Sequence, residues 1–440
     1  MTLISAAAPA PTLPEMTRVF LRIGLLSFGG PAGQIALMHR ELVDQRRWLD
    51  DDAFLHGLNF CMLLPGPEAM QLATYIGWRL HGLKGGLIAG TLFVLPGFLV
   101  MLGLSIAYAG LSGQTWFASL FFGLKAAVLA VVVEALLRVA KKALKTRASY
   151  GIAALSFVAL FGFAVPFPLV VLAAGIAGYI GVRARPDWLG ARSSAPAEAA
   201  PVLRHDHVPG VLGLWGALWA LPVIGFGLWL GWGQLYPQLA LFFSKMAVVT
   251  FGGAYAVLAY VAQAAVENFG WLKLGQMIDG LALAETTPGP LILVLSYVGF
   301  LAAWQAPGPF SPLVGGIIGA VLTTWVTCIP CFLWIFLGAP YIEYLRRHAG
   351  LTGALSAIGA AVVGVILNLT VWFALQTLFL RVETVTAGSL RLSIPDPSTL
   401  DGKALLLAVL AMVALFRLHI GMLPTLAFSA LAGFALKSVL

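Results

Sequence analysis

The sequence predicts an all-α, polytopic integral membrane protein with two homologous halves, arranged as an inverted-topology repeat with broken, re-entrant helices. Three observations predict it. First, only 10% of the 440 residues are charged and 60% are hydrophobic, with a mean hydropathy of +0.93, whereas soluble domains carry about 25% charged residues. Second, continuous apolar runs long enough to span a bilayer recur, among them 87–104, 211–230 and 313–337; a β-barrel would alternate instead. Third, one stretch occurs twice. Ser27-Phe28-Gly29-Gly30-Pro31, followed by Leu64-Pro65-Gly66-Pro67-Glu68, returns as Thr250-Phe251-Gly252-Gly253-Ala254, followed by Thr287-Pro288-Gly289-Pro290-Leu291. The shift is constant: 251 − 28 = 223 and 288 − 65 = 223. Trp48-Leu49 and Trp271-Leu272, Gly57-Leu58 and Gly280-Leu281, and Arg22 and Lys245 keep the same register.

Taken in order, residues 1–16 hold Pro9, Pro11 and Pro14 and no basic residue before Arg18, so they read as a disordered leader rather than a signal peptide. The N-terminal repeat is expected over 17–182. Its first apolar segment, 17–38, is interrupted at Phe28–Pro31, because Gly and Pro break helices. In the polar stretch 39–52, Asp51 or Asp52 is expected to cap a helix running towards Leu64. That helix stops at Pro65-Gly66-Pro67, and the next opens with Glu68, where a carboxylate suits the helix dipole. Spans are expected over 85–108, with Pro96 inside, and over 115–137. Arg138, Lys141, Lys142, Lys145 and Arg147 form the densest basic run and mark a cytoplasmic loop. As one helix, 150–182 would extend about 50 Å, well beyond a ~30 Å hydrocarbon core. Pro166-Phe167-Pro168 instead divides it into a hairpin of two short helices.

A polar cytoplasmic linker is expected over 183–209, with Arg183, Arg185, Arg192 and Arg204. The C-terminal repeat is expected over 210–380, then an outer loop and a C-terminal helical hairpin over 381–440. If the linker is inside, the single helix at 210–232 starts the second repeat outside. That repeat ends at the basic Arg346-Arg347-His348, while the first repeat starts inside. This parity gives the inverted repeat found in many secondary transporters.

Broken helices in a membrane need a reason, because freed backbone groups must find partners or line a wet cavity. Half-helices whose N-termini meet near the midplane offer unpaired N–H groups and positive dipole ends, which makes an anion site. The residues expected to form it are Ser27, Gly29, Gly30, Pro65, Gly66, Pro67, Thr250, Gly252, Gly253, Thr286, Thr287, Pro288, Gly289 and Pro290, with the hydroxyls as hydrogen-bond donors. The bland alternative is that Gly and Pro only set kinks for helix packing. Arg22 and Lys245 are either counter-ions or gates to an anion, or interfacial cations that snorkel. Glu68 and Glu285 flank the two turns and are candidates for proton coupling; capping or a structural hydrogen bond competes. Glu134 and Asp279 are further carboxylates in or beside apolar segments.

No hydrolase triad, P-loop or dinucleotide fingerprint is present, so no enzyme activity and no cofactor are expected. Three cysteines exclude a disulfide framework. Cys328-Ile329-Pro330-Cys331 has redox spacing but lies in an apolar span, where small residues around a Pro kink are the simpler account. Matching Pro330 to Pro96 needs a shift of 330 − 96 = 234, so the loop before it should be eleven residues longer in the second half. His205-Asp206-His207 is a weak metal signal, and no metal site is expected. The net charge of +8 fits cytoplasmic loops rather than nucleic-acid binding.

Phe28-Gly29-Gly30-Pro31, Trp48-Leu49, Leu64–Glu68, Phe251-Gly252-Gly253 and Thr286–Pro290 together resemble the chromate ion transporter family in its long, two-domain form. The resemblance covers about residues 17–375. It implies a secondary transporter in the cytoplasmic membrane that exports chromate and gives chromate resistance; a homodimer is compatible with it. Sulfate or another oxyanion is the alternative substrate, and a membrane enzyme or lipid-handling protein with re-entrant helices is the alternative class. The turns hold Gly, Pro, Ser and Thr rather than Asp or His, which suits binding better than reaction. Ala254 replaces Pro31 and Leu291 replaces Glu68, so the halves are not expected to be equivalent.

Overall fold

The computed structural model describes residues 11–28, 30–62, 64–185, 188–189, 208–250, 254–339, 349–388 and 390–438. Among them, six helices are long and apolar enough to cross a membrane.

Helix α1 (Leu13–Leu26) opens on Thr12, whose hydroxyl accepts the Glu15 amide, with Pro14 in its first turn. It buries Met16, Val19, Phe20 and Ile23, the i, i+3, i+4, i+7 stripe of a helix facing a core. Residues 13–16 are therefore helix, not leader. Helix α2 (Gly30–His39) runs into a π-helical turn, Arg40–Gln45. Helix α3 (Asp51–Cys61) is capped by Asp50, which accepts the Ala53 amide at 2.6 Å. The cap is one residue earlier than expected, and Asp51 and Asp52 fill the first turn instead, where the dipole favours them.

Helix α4 (Glu68–Leu111) leaves helical geometry at His81 and Gly82, where Gly82 takes φ +59°. There it folds back on itself, with Gly77 against Gly85 and Ala89. Next come α5 (Thr115–Ala143), α6 (Arg147–Phe161) and α7 (Phe167–Ala184). The start of α6 (Ala148, Ile152) packs with the end of α7 (Val182), so the two form the antiparallel hairpin expected at Pro166.

Helix α8 (Val208–Leu230) leads into the second copy: α9 (Leu235–Val249), α10 (Ala254–Gln263), a π-helical turn (Ala264–Asn268) and α11 (Leu274–Thr286). These fall within two residues of where the shift of 223 puts the first copy; the π-helical turns end in register (45 + 223 = 268) and start one residue apart (40 + 223 = 263, against Ala264). Helices α12 (Val294–Gln305) and α13 (Pro312–Gly338) repeat the folded-back α4, with Gly299 against Gly319 and Thr323. Here 85 + 234 = 319 and 89 + 234 = 323, while 77 + 222 = 299, so twelve extra residues lie between the two arms, eleven net of a one-residue slip after the turn.

The same shift carries α5 onto 349–377, occupied by α14 (Ala349–Leu378). A shift of 255 carries the starts of α6 and α7 (147 + 255 = 402, 167 + 255 = 422) onto α15 (Gly402–Met412) and α16 (Met422–Ser438). The intervening insertion is an antiparallel ribbon, β1 (Val382–Ala387) and β2 (Leu390–Pro395). The second repeat thus extends through the tail, and the boundary expected at 380 falls inside it. The terminal hairpin is the counterpart of α6–α7.

The chain forms two compact units. One holds Met1–Ser105, Ala197–Ala254 and Thr287–Leu345. In it, Gly86 of α4 faces Phe336 of α13 and Gly90 faces Phe332. These equivalent helices therefore run in opposite directions, as an inverted repeat requires. The other unit holds Ile106–Pro196, Tyr255–Thr286 and Arg346–Leu440. In it the hairpins are exchanged: α6–α7 pack on α14, and α15–α16 pack on α5. The contacts repeat residue by residue. Gly178 meets Gly353 and Ala357, and its counterpart Gly433 (178 + 255) meets Ser119 and Gly123.

Such close backbone approach leaves no room for side chains. Gly178→Val and Gly433→Val should each destabilise the protein by about 1–3 kcal/mol through overpacking, to a similar extent. Thermal unfolding in detergent measures this, and an unchanged Tm in either variant contradicts the exchanged packing.

Candidate functional site

The two helix breaks are joined by one hydrogen bond that occurs twice. The Gly66 amide donates to the Thr250 carbonyl at 2.8 Å, and the Gly289 amide donates to the Ser27 carbonyl at 2.8 Å. Since 27 + 223 = 250 and 66 + 223 = 289, each is the image of the other. A reciprocal contact of this kind is what a two-fold relation produces.

The chemistry of the turn explains the choice of donor. Helix ends leave carbonyls without intrahelical partners, and in an apolar medium each orphan costs several kcal/mol. In Pro-Gly-Pro the glycine holds the only N–H, because proline has none. Gly66 takes φ +124° and Gly289 φ +85°, conformations that favour glycine. A Cβ on Gly66 would lie 3.0 Å from Cys331 Sγ, and one on Gly289 would lie 3.3 Å from Gly97 Cα. Positions 97 and 331 are themselves equivalent (97 + 234 = 331), so Cys331 packs beneath one turn as Gly97 does beneath the other.

This geometry redistributes the donors expected at the site. The Gly66 and Gly289 amides are committed to backbone carbonyls. Ser27 Oγ, fully buried, donates to the Ile23 carbonyl at 2.6 Å; Thr250 Oγ1 donates to the Met246 carbonyl and Thr286 Oγ1 to the Leu283 carbonyl. A hydroxyl has one proton, so these three offer an anion no donor in this conformation. Thr287 is buried. Pro65, Pro67, Pro288 and Pro290 shape the turns, and Gly30 opens α2 at φ +68°. Gly29, Gly252 and Gly253 lie outside the described residues. The groups suited to an anion are the first-turn amides at 68–70 and 291–292, where a helix start has unpaired N–H groups and a positive dipole end.

Two residues in the site carried no signal in the motif reading. Gln71, fully buried, donates from Nε2 to the Pro65 carbonyl at 2.7 Å. Gln34, also buried, donates from Nε2 to the Gly289 carbonyl at 2.5 Å. Each glutamine thus braces one turn, and the Oε1 of each is buried with no hydrogen-bond partner among the described residues. Their images are Val257 (34 + 223) and Val294 (71 + 223). A buried amide opposite valine in the repeat register was the signal available.

Among the charges, Arg22 is exposed, with Nε 3.8 Å from Oε1 of the buried Glu41, which also pairs with Arg46. Lys245 is exposed on α9. Glu68 sits half-buried in the first turn of α4, and Glu285 is buried near the end of α11. In the polar turn, His39 lies between Asp51 (2.6 Å) and Asp44 (3.4 Å); the hydrogen bond to Asp51 leads the causes that raise its pKa. An ion pair joins Nζ of half-buried Lys125 to Oδ1 of buried Asp279 at 3.1 Å, and Tyr108 donates its hydroxyl to Asp279 Oδ2 at 2.7 Å. Lys125, nine residues before the next charge in its helix, Glu134, escaped the motif reading. Cys61, Cys328 and Cys331 are free and buried. Among the described residues, no group of three or more His, Cys, Asp or Glu could hold a metal ion; His205–His207 fall outside them.

A family described as Chromate transporter matches residues 14–179 and 237–434. The chain belongs to the chromate transporter family. The two matches start 223 residues apart (237 − 14) and end 255 apart (434 − 179), the shifts that relate the first and last helices of the repeats. Members of the family resemble the chain nearly end to end. The chromate transport protein of Pseudomonas aeruginosa is 34% identical over 387 residues, 87% of this chain and 86% of that protein. The chromate transport protein of Cupriavidus metallidurans is 29% identical over 406 residues, 91% and 93% of the two chains. A probable chromate transport protein of Synechococcus elongatus is 27% identical over 376 residues, 84% and 86% of the two. No solved structure matches. The chain is thus a multi-pass membrane protein of a transporter family.

Gln34→Leu and Gln71→Leu each remove the brace of one turn carbonyl. Each should lower stability by about 1–3 kcal/mol, the cost of a buried acceptor losing its donor. Thermal unfolding in detergent reads this as a lowered Tm; an unchanged Tm shows that the amides do not brace the turns.

Proposed function

We propose that this protein is a secondary transporter that exports chromate across the cytoplasmic membrane and thereby confers chromate resistance. The observation that carries the reading is the pair of Pro-Gly-Pro breaks tied to each other's repeat, in a chain of the chromate transporter family. The tetrahedral dianion is held at the half-helix N-termini by the first-turn amides at 68–70 and 291–292, the turn glycines and prolines setting the approach. Ser27 and Thr250 fix the helix ends rather than donate. Arg22 and Lys245 act as cations that steer the anion, a reading their exposure supports.

The electrical term favours export. One charge moved through 100 mV is worth about 2.3 kcal/mol, so a dianion leaving an inside-negative cell gains about 4.6 kcal/mol per 100 mV. Glu68, opposite Leu291 in the repeat register, and Glu285 supply the asymmetry that a coupled proton would use.

Uptake of labelled chromate or sulfate from the medium into inside-out vesicles, with and without a pH gradient, tests this. Chromate should accumulate in proportion to the protein present and faster with the interior positive. Accumulation of sulfate alone would replace the substrate, and movement of neither anion would overturn the transporter reading.

A further inference from the structure

Lys125 stands ten residues into α5, about 15 Å along a 29-residue apolar helix. A cation at that depth is costly and marks function by default. Its side chain keeps 27% exposure while that of Asp279 keeps 9%, so the lysine is the reachable member of the pair. The pair is not needed to build the repeat. The images of its members are Gly359 (125 + 234) and His56 (279 − 223), and the other copy forms the equivalent helices α14 and α3 without it.

Resting on the oxyanion-transport reading, we infer that Lys125 is a contact for the transported anion, shielded by Asp279, and that anion binding there draws one proton onto Asp279. An ammonium has three donors and no acceptor; one side of it faces Asp279 Oδ1 at 3.1 Å as an ion pair. A dianion arriving at the others brings negative charge beside the carboxylate, which favours the protonated acid. A proton taken up from the bulk solution binds Oδ1, the Nζ–Oδ1 contact breaks, and the ammonium turns its charge to the oxyanion. Tyr108 continues to donate to Oδ2. The complex gains one dianion and one proton, for a net charge of −1. Of the elements packed on α11, α5 faces Asp279 with Lys125, and the π-helical turn 264–268 contributes Glu267, which is exposed and bonded to Gln263. The carboxylate therefore answers to Lys125 and Tyr108.

The test is equilibrium binding of chromate to the purified full chain between pH 7.5 and 9, where chromate is the dianion. Uptake of one proton predicts that wild-type affinity falls about tenfold per pH unit. Asp279→Asn should bind independently of pH. Lys125→Met should lose at least tenfold in affinity, and Lys125→Arg should retain most of it. The double variant Lys125→Met/Asp279→Asn removes both charges, so it folds without a stranded ion; it should bind no better than Lys125→Met. Wild-type affinity and pH slope in the double variant would make the pair structural and overturn the inference. If the wild-type chain binds neither chromate nor sulfate, the transport reading itself fails.

Discussion

The amide of each Pro-Gly-Pro glycine is spent on the carbonyl that ends the first helix of the other repeat, and much of the membrane architecture follows from that exchange. Helices that stop inside a bilayer strand polar groups with no water to receive them. Here each stranded carbonyl finds the one N–H in the partner's turn, so neither repeat can close its own break. The repeats are bound to meet in opposite orientation, and α4 and α13 run past each other in opposite directions. The exchange of hairpins, α6–α7 on α14 and α15–α16 on α5, applies the same reciprocity with apolar contacts.

Against that symmetric frame, several polar residues of either copy have no equivalent in the other. Gln34, Gln71 and Glu41 occupy positions that hold valine or alanine in the second copy, while Lys125 and Asp279 correspond to Gly359 and His56. A symmetric scaffold supplies equal half-helix ends; the residues without a counterpart make the two halves chemically distinct.

The repeat, its register, its broken helices and the hairpin at Pro166 were legible in the sequence because Gly and Pro act locally, on the backbone that carries them. The same locality hid other features. The start of α1 was masked by prolines that signal a leader and a helix N-terminus equally, and only Thr12 and Glu15 distinguish them. The cap at Asp50 lies in a run of three aspartates, any of which suits a helix start. The extent of the second repeat was obscured by the β-ribbon, which moves the register from 234 to 255. At the site, the motif located the turns but not their hydrogen bonds, since the Gly66 acceptor lies 184 residues away (250 − 66). Gln34 and Lys125 each sit among apolar neighbours, so no local pattern surrounded them.

The central claim is that equivalent segments of the two repeats lie on opposite sides of the membrane. Gln45 and Asn268 test it directly: both are exposed, both end a π-helical turn, and 268 − 45 = 223. With Cys61, Cys328 and Cys331 replaced by alanine, Gln45→Cys and Asn268→Cys should react with a membrane-impermeant thiol reagent from opposite faces of sealed vesicles. Labelling of both from the same face would contradict the inverted repeat and the reciprocal bond that depends on it.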